Sequence, residues 1–354
     1  MKIDTLLIGA LDFPNTPKAG DSIKNRLILS WFKQNFDNVL AIDTQHWRTR
    51  PFVLIKILSV LIFRKVDNIV ISVSNQSAYR LIRIIQPIKR KRTKFFYFMI
   101  GGYTPIKIKQ GIFKAKPFKK LDKIIVEADR VKDFFSEVGI HNVYRVYNFK
   151  FTSFVADINF FKTNKVRFVF LSRLTELKGV FHIIRSTLSL NENGLANNFQ
   201  VDFYGSIDPP IKSRFFDEIQ RIPNISYNGF LDLRKDSNYK VLTAYDALLF
   251  PTMHETEGFP GVIADAAIAG LPVIASDWAY ANELISTPKC GIVFPVGDNR
   301  ALTKIMHEII VNRDIVQTLR ANCISRSKLY RGENVLTKQL LLNIGMTPNA
   351  TIKE

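Results

Sequence analysis

The sequence has few residues that could cross-link the chain or bind a metal ion. Its 354 residues include two cysteines, Cys290 and Cys323, and five histidines that are spread along the chain. Two isolated cysteines predict neither a disulfide framework nor a zinc site, and they favour a reducing compartment. No Ser-His-Asp order or metal-ligand spacing stands out, so neither a catalytic triad nor a metal centre is predicted.

Long apolar runs are also lacking. The longest, residues 52–63, is interrupted by Lys56 and is shorter than the roughly 20 residues that a helix needs to span a bilayer. The first residues, Met1 to Asp12, are too short and too acidic for a signal peptide and instead predict a buried strand. We therefore expect a cytoplasmic protein.

Acidic residues are scarce in the first half of the chain. The whole sequence carries 50 Lys and Arg against 31 Asp and Glu, a formal charge of +19. Residues 1–150 hold 28 of these basic and 11 of these acidic residues, so +17 of the excess lies there. Such asymmetry predicts an anionic partner for the N-terminal half alone.

One segment of that half suggests what the partner is. Six lysines between Lys107 and Lys120 alternate with isoleucine and phenylalanine, a pattern suited to an anionic membrane surface. A solvated surface is the alternative. Nucleic acid is not expected as a partner, because no nucleic-acid-binding motif is present.

Length and pattern together indicate an α/β protein with two domains. The 354 residues with 47% hydrophobic content suffice for two cores. Short apolar runs alternate with helical stretches, which is typical of parallel sheets. We expect a first domain over 1–160 and a second over 161–335. A helical tail over 336–354 follows, and one option is that it crosses back to the first domain.

Two helices predicted in the first domain carry further expectations. The first, from about Ser22 to Phe36, is predicted to place Ile23, Leu27, Ile28 and Trp31 on one face. The second, from about Arg50 to Lys65, is apolar on all sides with basic ends. The second helix is favoured as a buried crossover between strands, and a membrane-facing helix is the alternative.

The stretch from Phe250 to Ser276 predicts a strand, a loop, a helix and a second strand. The run 244–250 is short and apolar, as in a buried parallel strand. Pro260 suits the first turn of a helix and Gly270 the position just past its end. The loop therefore presents backbone donors at a helix N-terminus, where open α/β sheets bind phosphate.

Two carboxylates flank the start of this predicted helix. Glu257 precedes it, and Asp265 follows eight residues later. Because carboxylates accept paired hydrogen bonds from hydroxyls, a ligand with an anionic middle and polyhydroxyl ends would fit, such as a nucleoside diphosphate sugar. Spacing alone leaves open an ordinary α/β loop with one solvated acid and one acid in the first helical turn.

The residues from Glu257 to Ala266, continued by Ala269 to Ser276, resemble the E-x7-E signature of retaining glycosyltransferases of the group 1 family. The resemblance implies the GT-B fold, two Rossmann-like domains facing each other across a cleft. It also implies that Glu257 contacts the donor sugar and that the second acid holds the ribose hydroxyls. This chain has Asp265 where the family usually has glutamate, which is one methylene longer.

The resemblance extends to other parts of the chain. Arg173 and Lys178 follow the strand predicted at 166–171 and match the family's Arg…Lys-Gly pair, which grips the donor pyrophosphate. Gly20 stands near the family's glycine-rich loop, and Gly205 ends a strand on the ligand side. The candidate catalytic residues are Glu257, Arg173 and Lys178, and the candidate donor-binding residues are Gly20, Gly205, Gly258, Phe259, Gly261, Val262 and Asp265.

One feature of the family is missing. Gly101-Gly102-Tyr103 stands where members often have an active-site histidine, so no catalytic histidine is predicted. The resemblance implies no metal or other cofactor, because Arg173, Lys178 and the helix N-terminus would meet the charge of the leaving diphosphate.

We therefore expect a transferase that moves a sugar, with retention, from a UDP- or GDP-linked donor to a hydroxyl of a glycan or lipid-diphosphate-linked acceptor. The context implied is capsule, exopolysaccharide or lipopolysaccharide synthesis, on the inner face of the cytoplasmic membrane. Two alternatives stay open. One is a nucleotide-sugar-binding protein without turnover, which Asp265 and the missing histidine motivate, and the other is a GT-B epimerase or phosphorylase.

Overall fold

The structure, a computed structural model, describes residues 2–15, 20–45, 47, 52–157, 164–254 and 257–349. The chain divides into two compact units, a first unit formed by Met1–Tyr147 with Glu333–Glu354 and a second unit formed by Asn148–Gly332. This division puts residues 148–157, which the sequence assigned to the first domain, in the second unit.

The first unit is built on six parallel strands in the order β2-β1-β3-β4-β5-β6. The strands are β1 (Lys2–Gly9), β2 (Val39–Asp43), β3 (Lys65–Ser72), β4 (Lys94–Phe98), β5 (Lys123–Val126) and β6 (Val143–Arg145). The helices between them are α1 (Gly20–Asn35), α2 (Phe52–Phe63), α3 (Asn75–Ile85), α4 (Thr104–Lys109), α5 (Lys116–Lys119) and α6 (Asp129–Glu137). The four central strands, β1, β3, β4 and β5, are largely buried, because helices cover both faces of the sheet.

The strand order fixes which helices share a face of this sheet. Parallel crossovers are right-handed. The connection from β1 to β2 runs one way along the sheet, and every later connection runs the other way, so α1 lies on one face and α2 to α6 on the other. Neighbouring residues of β4 agree with this: Phe98 contacts Phe32 of α1, and Tyr97 contacts Phe118 of α5, at ring-centroid distances of 6.1 and 6.3 Å.

Two expectations about these helices are corrected. Of the four apolar residues predicted to share a face of α1, Ile28 and Trp31 are buried, whereas Ile23 and Leu27 are only half-buried. The helix also buries Asn25, which is 0% exposed. The Asn25 side chain donates to the carbonyls of Ala10 and Ser72 at 3.0 and 2.9 Å. The register of α1 is therefore set by a polar link to the C-terminal ends of β1 and β3. Helix α2 is not a buried crossover, since Ile57 and Leu61 are its only buried residues.

The second unit holds another parallel sheet, in the order β12-β11-β10-β7-β8-β9. Its strands are β7 (Val166–Leu171), β8 (Phe199–Tyr204), β9 (Ile225–Tyr227), β10 (Ala247–Phe250), β11 (Val273–Ser276) and β12 (Gly291–Phe294). Its helices are α7 (Val180–Glu192), α8 (Lys212–Ile219), α9 (Tyr239–Thr243), α10 (Gly261–Ile268), α11 (Asn299–Val311) and α12 (Asp314–Ser327). Then follow α13 (Gly332–Val335) and, in the first unit, α14 (Lys338–Ile344).

A buried ion pair anchors the centre of the second sheet. Asp246, 3% exposed and directly before β10, accepts hydrogen bonds from Arg313 at 2.7 and 2.6 Å and from the amide of Arg167 at 2.8 Å. A carboxylate this buried is held by several donors because an unpaired charge would be costly there. It fixes the starts of β7 and β10 relative to each other.

Each sheet has one point where the direction of winding reverses. In the first it lies between β1 and β3, and in the second between β7 and β10, which are neighbours although β8 and β9 come between them in sequence. Open α/β sheets bind ligands outside the carboxyl ends of the strands at such a point. Within the described residues, no helix is long and apolar enough to cross a bilayer.

Candidate active site

The loops after β7 and β10 lie side by side at the switch point of the second sheet. The amide of Met253 donates to the carbonyl of Leu177 at 2.8 Å, which ties the two loops together. Gly179 makes this approach possible. Its φ is +76°, and a Cβ there would lie 2.0 Å from the carbonyl oxygen of Pro251. Only glycine fits, because it tolerates this backbone conformation and leaves room for the neighbouring loop.

The approach of the two loops brings Lys178 and Glu257 together. The Lys178 Nζ lies 2.5 Å from Glu257 Oε2, and both side chains are 16% exposed. Thr252 donates to the same carboxylate at 3.5 Å, and the ammonium lies 5.1 Å from the centre of the Phe250 ring. A half-buried, hydrogen-bonded pair of this kind is stronger than an exposed one. Lys178 follows β7 and Glu257 follows β10, the two strands on either side of the switch point.

The start of α10 offers backbone donors next to this pair. The helix begins at Gly261, and Pro260 is its N-cap rather than a residue of its first turn. The amides of Gly258, Gly261 and Val262 donate no hydrogen bond to any acceptor in the described part of the chain. Since the positive end of the helix dipole lies here as well, this turn suits an anion. Phe259 is buried and packs edge-on against Tyr330.

Asp265 is engaged by two residues that sequence reasoning missed. Its carboxylate is 4% exposed and accepts from Lys150 Nζ and from the Tyr239 hydroxyl, both at 2.7 Å. Burial, then the Asp265 charge, raises the pKa of Tyr239, so this hydroxyl remains a donor. The Lys150 Nζ would lie 3.2 Å from a Cβ at Gly261, so Asp265 holds a cation beside the first turn of α10.

The remaining predicted residues occupy different places. Arg173 is exposed and makes no hydrogen bond or ion pair with another described residue. Gly205 has a φ of +137°, and a Cβ there would lie 1.8 Å from the carbonyl oxygen of Ser172, so it lets the loops after β7 and β8 touch. Gly20 is the first residue of α1 in the first unit, with open space where its Cβ would be, and Ala19 lies outside the described residues.

Two histidines lie near the pair. His182 of α7 contacts Asn299 Oδ1 at 3.0 Å and the Met253 sulfur at 3.2 Å. Burial and the nearby Arg185 lower its pKa, so its neutral form is favoured. The backbone of His254 shapes the loop, because its carbonyl accepts from the amide of Glu257 at 3.2 Å. In the described ranges no three His, Cys, Asp or Glu residues form a group suited to a metal ion.

The arrangement of the two sheets defines the fold class of the chain. Two six-stranded parallel sheets, each with its own switch point, match solved structures of the GT-B fold. Sucrose-phosphate synthase from Thermosynechococcus elongatus matches at a TM-score of 0.75 and 13% identity, over 97% of this chain and 98% of that one. HepE from Anabaena, solved in complex with UDP, matches at a TM-score of 0.71 and 16% identity, over 97% of this chain and 99% of that one.

Sequence comparison indicates which class of enzyme the chain resembles. The sequence model described as "Glycosyl transferases group 1" matches residues 165–312, which lie in the second unit. The amylovoran biosynthesis glycosyltransferase AmsK of Erwinia amylovora is 27% identical over 146 residues, 40% of this chain. That match spans 35% of the length of AmsK. The matches support a transferase enzyme, a glycosyltransferase, and the residues matched by the sequence model include the Lys178–Glu257 pair.

Proposed function

We propose that the protein transfers a sugar from a nucleoside diphosphate sugar to a hydroxyl group, with the donor bound at the switch point of the second sheet. The observation that carries the proposal is the Lys178–Glu257 pair, just ahead of a helix start whose amides face no acceptor in the described chain. A cation and backbone donors suit the diphosphate, and a carboxylate suits the hydroxyls of the sugar. The UDP complex of HepE supports a donor of this kind.

The reaction breaks the bond between the anomeric carbon and the diphosphate oxygen. The acceptor oxygen forms the new bond to that carbon, and its proton passes to the departing diphosphate, which takes the electron pair of the broken bond. Negative charge therefore grows on the diphosphate, where Lys178, the exposed Arg173 and the first turn of α10 stabilise it. Glu257 orients the sugar, and transfer proceeds with retention of the anomeric configuration.

Asp265 has a modified role in this proposal. Its carboxylate is enclosed by Lys150 and Tyr239, so it acts on the donor chiefly by holding the Lys150 ammonium beside Gly261. A ribose hydroxyl that reaches this corner meets the ammonium and the carboxylate together. The shorter side chain of aspartate leaves room for the lysine, which connects this chain's departure from the family pattern with a compensating cation.

The proposed acceptor is a glycan or a lipid-diphosphate-linked glycan, in the synthesis of a cell-surface polysaccharide at the inner face of the cytoplasmic membrane. The role of AmsK in amylovoran biosynthesis supports this setting. So does the likeness, at a TM-score of 0.66 and 15% identity, to the lipopolysaccharide outer core galactosyltransferase WaaB.

The test measures nucleotide binding by two variants, each of which removes a contact with a different part of the donor. UDP, GDP and a panel of their sugars are titrated calorimetrically against the wild type. Lys178→Met keeps the packing on Phe250 but removes the charge, and it should weaken nucleoside diphosphate and nucleotide sugar alike by about 10- to 100-fold. Glu257→Gln should weaken the nucleotide sugar and leave the free diphosphate nearly unchanged.

The control is Lys304→Met, which removes a lysine that is 78% exposed in the same unit. It should bind every ligand as the wild type does. The proposal fails if no nucleotide sugar binds, or if Lys178→Met binds as tightly as the control.

A further inference from the structure

Both oxygens of the Asp265 carboxylate are already engaged within the protein. Oδ1 accepts from the Tyr239 hydroxyl and Oδ2 from Lys150 Nζ, both at 2.7 Å. The Asp265 side chain is 6% exposed, and Tyr239 is 0% exposed. A carboxylate that is enclosed in this way is poorly placed for the role that the resemblance implies, which is to accept hydrogen bonds from the hydroxyls of a ribose.

The two donors to Asp265 are held in place by contacts of their own. The Tyr239 ring stacks on Phe154, with the ring centroids 5.4 Å apart and the planes at 14°. The Lys150 amide donates to the Tyr330 carbonyl at 2.8 Å, and the Lys150 carbonyl accepts from the Gly332 amide at 2.7 Å. A ribose hydroxyl would have to displace one of these fixed donors. It would then exchange one hydrogen bond for another, with little net gain.

The part of this corner that a ligand can reach is a cation. The Lys150 side chain is 28% exposed, against 6% for Asp265. Its Nζ would lie 3.2 Å from a Cβ at Gly261, the first residue of α10. An ammonium has three N–H donors, so donors remain after the bond to Asp265. The amides of Gly261 and Val262 meet no acceptor in the described chain. Together these donors suit phosphate oxygens.

We propose that the donor site does not distinguish ribose from 2′-deoxyribose, so that its substrates include sugars linked to 2′-deoxynucleoside diphosphates. Tyr239 and Lys150 cover the acid that would otherwise read the ribose, and Lys150 binds the diphosphate instead. The inference rests on the proposed function, because it concerns the same bound donor. It names the class of nucleotide that the site accepts.

The size of the expected effect follows from what a missing hydroxyl leaves behind. A buried acceptor that depends on a ligand hydroxyl loses its partner when the hydroxyl is absent, which costs about 5- to 150-fold in affinity. A site built to bind a hydroxyl therefore rejects the analogue that lacks it. Asp265 keeps its two protein donors whichever nucleotide is bound. Removal of the 2′-hydroxyl should therefore change affinity by less than about fivefold.

The first test compares matched nucleotides on the wild-type chain by calorimetry. UDP is titrated against 2′-deoxy-UDP, and GDP against 2′-deoxy-GDP. Within the pair that binds, the two dissociation constants should agree within about fivefold. A preference for the ribose form above about fivefold would overturn this inference alone and leave the proposed function in place. Binding of neither pair would overturn both.

The second test shows which part of the nucleotide Lys150 binds. An ammonium on the diphosphate contributes equally to both members of a pair, so Lys150→Met should weaken the ribose and the deoxyribose form alike, by about tenfold. If it weakened the ribose form by about fivefold more than the deoxyribose form, the ammonium would bind the ribose, and the proposal would be overturned. Lys304→Met, at a lysine that is 78% exposed, is the matched control and should change neither affinity.

Turnover gives a further readout that folding alone does not change. Once the sugar is identified, kcat/KM for its ribonucleotide donor and for its 2′-deoxyribonucleotide donor should agree within about fivefold in the wild type. The thermal unfolding midpoint of Lys150→Met, compared with the wild type, separates loss of a ligand contact from loss of folding. A wild-type enzyme that turns over only the ribonucleotide donor would contradict the inference even if both diphosphates bind.

Discussion

Substitution of Gly179 by alanine tests whether the spacing of the two loops matters for activity. The added Cβ would lie 2.0 Å from the Pro251 carbonyl oxygen, so the loops must separate by about 1.4 Å to restore ordinary contact. Alanine at a φ of +76° costs a further 1–2 kcal/mol or so. The loop that must move carries Lys178, whose ammonium lies 2.5 Å from Glu257.

The chain offers a control with the same backbone cost. Gly194, just past the other end of α7, has a φ of +80° and no atom within 4 Å of its Cβ position. Gly194→Ala should therefore lower stability by the backbone term alone, roughly 2–4 °C in melting temperature for each kcal/mol. Gly179→Ala should lower the melting temperature further, and only this variant should lose activity.

The expected loss of activity follows from the displacement. Misplacing a group near the reacting centre by about 1 Å can cost on the order of 10²-fold in rate. Once a donor is identified, transfer or donor hydrolysis should fall by about that factor in Gly179→Ala and by less than about threefold in Gly194→Ala. If both variants retain the activity of the wild type while Gly179→Ala is clearly destabilised, contact between the loops is structural only, and the reasoning about the pair is refuted.

Three further outcomes are expected. Lys150→Met should weaken nucleotide-sugar binding by about tenfold, and Asp265→Asn should do the same with little change in stability because its two donors keep an acceptor; unchanged affinity in both would remove this corner from the site. Burial lowers the pKa of His182 in the folded protein below its usual value of 6.5. Stability should therefore fall as the pH falls below 6.5, because the unfolded chain then binds the additional proton. His182→Gln should reduce the fall in melting temperature between about pH 7.5 and 5.5, and an unchanged fall would contradict this reasoning. Asp246→Ala should cost about 3–5 kcal/mol of unfolding free energy because it strands buried arginines, against less than about 1 kcal/mol for Asp232→Ala, whose pair is exposed; equal losses would contradict the anchoring role.

The strands and the two α/β units of the fold could be predicted from the sequence. Short apolar runs such as 166–171 coincide with the strands because a parallel sheet buries both faces of each strand. Helix ends with glycine were also predictable, as at Gly270, where φ is +63°. The alternation of strands and helices then leads to two α/β units.

Polar contacts over long sequence separations could not be predicted. Lys150 lies 115 residues from Asp265, and nothing in the local pattern around either residue points to the other. The burial of Asn25 in α1 was equally hidden, because a helical periodicity that counts only apolar residues passes over an asparagine. In both cases a polar side chain forms a hydrogen bond with a residue that is distant in sequence.

The exposure of α2 was missed for a related reason. An apolar composition predicts burial, and only the structure shows that Ile57 and Leu61 suffice to seat the helix.

The two points where the chain crosses between units are tied to each other. The Lys150 amide donates to the Tyr330 carbonyl at 2.8 Å, and the Gly332 amide donates to the Lys150 carbonyl at 2.7 Å, so the first and last segments of the second unit form a short parallel bridge. Residues 148–332 therefore resemble a domain inserted into a host domain, with its two ends held next to each other. A segment whose ends are adjacent can be removed or transferred to another protein as one piece.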